Sequence, residues 1–139
     1  MANPNMANRS VRKRSYAGPW VQDNVAANQA AVALKRAAAA NAGTELVPVR
    51  TGSITGIGAS FTVAPAGSTL VLTVTKNGSP ISGCVLNVTV GATLGRSTTF
   101  APGSYPVAAG DRLGVTVTTD GSWSATTSDM VIDLELDSL

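Results

Sequence analysis

Four separated runs of alternating apolar and polar residues constrain this chain more than any other feature. In 69–75, TLVLTVT, Leu70, Leu72 and Val74 fall on one side of an extended backbone. In 84–90, CVLNVTV, Cys84, Leu86, Val88 and Val90 do the same, and in 112–119, RLGVTVTT, so do Leu113, Val115 and Val117. In 129–137, Met130, Ile132, Leu134 and Leu136 alternate with Val131, Asp133, Glu135 and Asp137. Side chains of a strand point to opposite faces in turn, so a period of two with one apolar set describes a half-buried antiparallel strand. Weaker strand candidates lie at 46–50, 53–57, 59–64, 97–101 and 104–108. Asn77-Gly78 suits a type I′ hairpin, and Gly110-Asp111 and Asp120-Gly121 mark two further reversals. About eight short strands without intervening helices predict a β-sandwich over 44–139.

Residues 1–43 follow a different rule. All sixteen Thr lie at Thr44 or beyond, whereas thirteen of the twenty-one Ala lie before it, so the composition itself places a boundary near Gly43. Charge divides there too. Residues 1–50 carry seven Lys/Arg against two acids, net +5, and 51–139 carry three against six, net −3, so the overall +2 hides a bipolar chain. Residues 1–19, with Arg9, Arg12, Lys13 and Arg14, have no apolar period and read as an extended basic arm. The Ala-rich run 21–42, closed by Gly43, predicts a short helix. Val21, Val25 and Val32 would give that helix a thin apolar stripe that needs a surface to lie on. The expected organisation is a basic N-terminal arm and helix over 1–43 joined to a sandwich over 44–139 that folds by itself.

Composition also limits the chemistry. No His is present, which removes the usual general base and the commonest metal ligand. The single cysteine, Cys84, excludes a multi-thiolate zinc site within one chain, and its alternation with Leu86 and Val88 marks it as a small core residue. The Gly-rich stretch GSITGIG at 52–58 lacks the Lys-Ser/Thr of a phosphate-binding loop and precedes a strand, so it reads as a turn. Neither an enzyme nor a cofactor is expected. No run is apolar and long enough to suggest a membrane span, and the basic start leads into no secretory signal. Charged residues make up 13% of the chain, against about 25% in an ordinary soluble domain, so much of its surface is expected to lie against other protein. Self-association as a dimer or trimer fits a low-charge sandwich with open edge strands.

The series TLVLTVTKNGSPI, VTV, YPVAAGDRLGVTVTTDGS and a final MVIDLEL resembles the jelly-roll domains of tailed-bacteriophage virion proteins. In those domains a Lys-Asn-Gly hairpin, here Lys76 to Gly78, follows one long strand, and a V-x-A-G-D-x-L-x-V segment, here 107–115, carries a later turn and strand. The resemblance covers 44–139 and implies a jelly-roll sandwich. Together with the small size and basic arm, the chain is similar to a capsid cement, or decoration, protein that clamps neighbouring major-capsid subunits on the outside of the shell. That resemblance implies the major capsid protein as partner and the virion surface as location, after synthesis in the host cytoplasm. The same pattern occurs in head-fibre and tail-fibre jelly rolls, which leaves a receptor- or carbohydrate-binding module as the alternative.

The residues expected at a capsid interface are Arg9, Arg12, Lys13 and Arg14 as charges for an acidic protein surface, Tyr16 and Trp20 as aromatic anchors, and Val21 and Val25 from the helix. The basic cluster could also neutralise phosphates, but no aromatic platform or recognition helix accompanies it, so nucleic acid is not the expected partner. Trp20 has a competing reading, in which it folds back under its own sandwich. Trp123 and Tyr105 could be imagined as a sugar platform, but core or rim packing accounts for them better. Asp129, Asp133, Glu135 and Asp137 bring hard oxygen ligands together, yet the last three simply occupy the polar face of a strand, so no metal is expected.

Overall fold

The computed structural model describes residues 13–39, 41–67, 69–91 and 93–138. Among them the regular structure is all β, as two antiparallel sheets packed face to face. The strands are β1 (Lys13–Gln22), β2 (Val32–Ala33), β3 (Glu45–Leu46), β4 (Gly52–Phe61), β5 (Leu70–Lys76), β6 (Ser79–Val88), β7 (Gly95–Thr99), β8 (Pro106–Val107), β9 (Leu113–Thr119) and β10 (Met130–Ser138). In the first sheet the order is β1-β10-β4, with β7 and β8 sharing the far edge of β4. In the second, β2 and β3 share one edge of β9, followed by β5 and β6.

The four alternating runs place their apolar sets between the sheets. Leu70, Leu72 and Val74, then Cys84, Leu86 and Val88, then Leu113, Val115 and Val117, and finally Met130, Ile132, Leu134 and Leu136 are all buried. Val90 is the exception, because β6 ends at Val88 and Val90 lies beyond it, exposed. The weaker candidates 53–57 and 59–64 merge into β4, the central strand beside β10. Within β4 a bulge interrupts the alternation: Gly56 pairs with Glu135 and Ile54 with Leu136, leaving Thr55 as the extra residue, after which Ile57, Ala59 and Phe61 continue the buried set. The Asn77-Gly78 reversal is realised with φ of 53° and 84°, the two positive values that a type I′ hairpin requires.

The helix expected over 21–42 is not formed. Residues 13–22 form β1, and the chain then crosses irregularly to the second sheet, where Val32–Ala33 pairs with β9. Alanine favours a helix over other residues by less than about 1 kcal/mol each, which tertiary contacts easily outweigh. Here the competing contacts are specific. Val25 and Leu34 are fully or almost fully buried, and the crossing's backbone is hydrogen-bonded to the body, for example Val25 N to Ser128 O at 2.8 Å and Asn28 N to Asp120 O at 3.1 Å. Thr119 closes this crossing, its hydroxyl accepting from Gln29 N and donating to Ala26 O. Asn24, Asn28 and Ala31 have φ between 47° and 57°, which no right-handed helix accommodates.

Trp20 lies at the centre of the arrangement. Its ring is completely buried, its indole N–H donates to Thr44 O at 2.9 Å, and the Arg36 guanidinium stacks 5.1 Å from the ring centroid. Arg36 also donates to the carbonyls of Gly18 and Pro19, tying the crossing back to β1. Trp20, Val25 and Leu34 therefore belong to one hydrophobic core with the strands of 44–139, and the boundary expected after residue 43 runs through that core.

Candidate functional site

Two kinds of chemistry can be addressed from the described residues. No group of three or more His, Cys, Asp or Glu side chains is placed to hold a metal ion among them. Cys84 is fully buried, and the loss of hydration pushes its thiol up to about 12, so no thiolate nucleophile is available near neutral pH. The acidic set separates according to its neighbours. Asp137 is buried and accepts hydrogen bonds from the backbone N–H and the hydroxyl of Ser53, whose oxygen in turn accepts from Gly103 N. Asp129 accepts from Asn24 N at 2.9 Å. Within β10 only Asp133 and Glu135 lie on the outward face, Asp129 being exposed just before the strand, and the expected polar face of β10 is thus two carboxylates long.

The more distinctive feature is a groove of about 550 Å³ at the end of the sandwich where β1 begins. One wall is β1 from Lys13 to Gly18, the other is the connection 46–50 between β3 and β4, and Leu136, Asp137 and Ser138 close it from β10. Hydrophobic side chains are left in the open here: Tyr16 is 80% exposed and Val49 86%, with Val47 more than half exposed. Lys13, Arg14 and Arg50 surround them, all exposed, while the one acid of the lining, Asp137, is turned into the Ser53 network. An apolar patch rimmed by like charge is the surface expected of a contact with an acidic protein face.

The residues expected at an interface are divided by the fold. Lys13, Arg14 and Tyr16 lie together on this groove. Arg9 and Arg12 lie outside the described residues. Trp20 and Val25 have no exposed surface, so both serve the chain's own core, and the reading in which Trp20 folds back under the sandwich is the one realised. Val21 is half-buried, and its N–H donates to Lys35 O at 2.7 Å. Trp123 and Tyr105 form no platform: Trp123 is buried with its N–H on Val25 O, and Tyr105 packs edge-on against Phe100 at 4.8 Å between centroids. Sequence reasoning missed Val47, Val49 and Arg50. The signal was present in Val47-Pro48-Val49-Arg50, two valines flanking a proline that cannot donate to a ladder, which argues against a paired strand and for an exposed connection. Neither family models nor curated proteins give a match to this sequence.

Proposed function

We propose that this chain is a jelly-roll structural protein of a tailed-bacteriophage virion, attached to the outside of the capsid across neighbouring major-capsid subunits. The jelly-roll reading is supported by nested strand pairing. If β2 with β3, and β7 with β8, are each counted as one interrupted strand, the chain has eight strands. They pair first with last (β1·β10), second with seventh (β2/β3·β9), third with sixth (β4·β7/β8) and fourth with fifth (β5·β6). Wrapping such a four-rung ribbon around a core yields two sheets whose order interleaves the two halves of the chain, as found here.

The observation that carries the attachment reading is the groove at the start of β1. It joins exposed Tyr16, Val47 and Val49 to Lys13, Arg14 and Arg50. Exposed charge steers and orients an encounter with an acidic shell, and the apolar centre supplies the adhesion. Many weak junctions of this kind hold a shell cooperatively, because each need contribute only about 8 kcal/mol, corresponding to micromolar affinity.

Stoichiometry in purified particles tests the proposal. A protein that ties capsomers is present in fixed proportion to the major capsid protein, and particles stripped of it release their genome at lower temperature while adsorbing to cells normally. A few copies per particle, with intact heat resistance and impaired adsorption on removal, would instead identify a head- or tail-fibre module.

A further inference from the structure

The outer face of the first sheet carries an open trough that shares Tyr16 with the attachment groove and otherwise lies on different residues. Register places the trough residues in rows across the strands. Tyr16 of β1, Glu135 of β10, Gly56 of β4 and Thr99 of β7 make one row, and Asp133, Gly58 and Ser97 make the next. These residues line a space of about 540 Å³ that continues, through Gly58, Ser97 and Asp133, into a second of about 380 Å³ beside Ser60, Gly95 and Arg96. From Gly56 to Ser60 the floor runs roughly 13 Å along β4, enough for more than one pyranose ring.

The floor is open because β4 carries glycine where a strand would ordinarily carry a side chain. Gly58 has no positive φ, and a Cβ built there would meet nothing nearer than 3.9 Å, so the fold itself does not require glycine. A glycine inside a strand costs about 0.5–1 kcal/mol relative to alanine, and one that sterics do not demand marks close approach by another molecule. The walls supply matching chemistry. Tyr16 offers an exposed ring, and Ser97 and Thr99 offer hydroxyls. Glu135 is held in place by the Thr55 hydroxyl, which donates to its Oε1 at 2.8 Å. Asp133, exposed on the same face, makes no hydrogen bond or ion pair among the described residues. Glu135 is approached by Arg14, whose Nε is 4.0 Å from Oε1, while Arg96, which lines the second part of the trough, donates to the carbonyls of Thr89, Thr93 and Gly95. An aromatic ring beside carboxylate and hydroxyl acceptors suits the apolar C–H face and donor hydroxyls of a sugar.

We propose that this trough binds a neutral oligosaccharide, with Tyr16 stacking on a sugar ring and Asp133 and Glu135 accepting its hydroxyl protons. The inference does not require capsid attachment, since a chain at any copy number in a particle can carry it, and Gly58 and Asp133, which the attachment groove does not include, test it apart from the shared Tyr16. The test is an array of neutral glycans, followed by NMR titration of the full chain with the best-bound glycan and, as a competing probe, with pentalysine. Expected are shifts confined to the trough strands, with binding lost more than about tenfold in Gly58→Val and Tyr16→Ala and weakened in Asp133→Asn. Gly58→Val fills the floor with a residue that strands favour, so its melting temperature should stay level or rise and its loss of binding cannot be ascribed to unfolding. Absence of binding across the array, binding unaffected by Gly58→Val, or tighter binding of pentalysine than of any glycan would each overturn the proposal.

Discussion

Ala31 holds φ at 47° with its N–H donated to the Thr118 hydroxyl, a conformation in which a Cβ costs about 1–2 kcal/mol. Ala31→Gly removes that cost against a smaller entropic penalty, so the variant should gain about 0.5–1 kcal/mol, read as a higher urea midpoint at unchanged slope. Cys84 behaves in the opposite sense, as a residue already well accommodated. Its thiol is raised from 9.0 to about 12 by burial, so the folded state holds the proton that the unfolded state releases above pH 9. Its contribution to stability is complete below that pH and is lost as pH rises toward 12. The thiol should resist disulfide-exchange reagents at pH 8 in the native protein and react fully in denaturant. Cys84 was legible in the sequence because its neighbours on the same face announce its burial. Trp20 was ambiguous, because the partners that bury and satisfy it, Arg36 and the Thr44 carbonyl, are remote from it along the chain.

Among the elements, those with period-two alternation were readable to within a few residues, since each carries its own record of which face is inside. β1 carries almost none: KRSYAGPWVQ has only Ala17 and Trp20 buried, on either side of a bulge at Gly18-Pro19, so its partner β10 defines it. The crossing from 23 to 44 was misread for a related reason. Its alanines report a weak local preference, while the interactions that decide its path come from Asp120, Ser128 and Thr119 far along the sequence. Deleting 1–43 should therefore abolish cooperative folding. The truncated chain would lose Trp20, Val25 and Leu34 from the core and leave the edge of β10 that faces away from β4 unpaired. Circular dichroism and thermal melting of the 44–139 fragment check this, and a sharp β-type transition would show that the arm is dispensable.

For the whole molecule, the bipolar charge read from the sequence is partly spent internally, since basic β1 lies against acidic β10 and Arg14 approaches Glu135. What remains for a partner is gathered at the groove, where Lys13, Arg14 and Arg50 come from segments that only the fold brings together. Replacing these three by Ala should weaken attachment to particles at low salt much more than at high salt, because exposed charge is screened over about 8 Å at physiological ionic strength. Sedimentation of the variant with particles at two salt concentrations measures this, and unchanged attachment at both would leave the adhesion to Tyr16, Val47 and Val49. The position of β10 also bears on biosynthesis. β10, the strand furthest along the described residues, sits between β1 and β4 in its sheet, its Ser138 opposite Lys13. Until β10 has left the ribosome, β1 and β4 have no common neighbour, and the first sheet cannot close. The first sheet must then wait for β10 to emerge, and a chain stalled before that point would present two unpaired strand edges to whatever chaperone or sister chain is nearby.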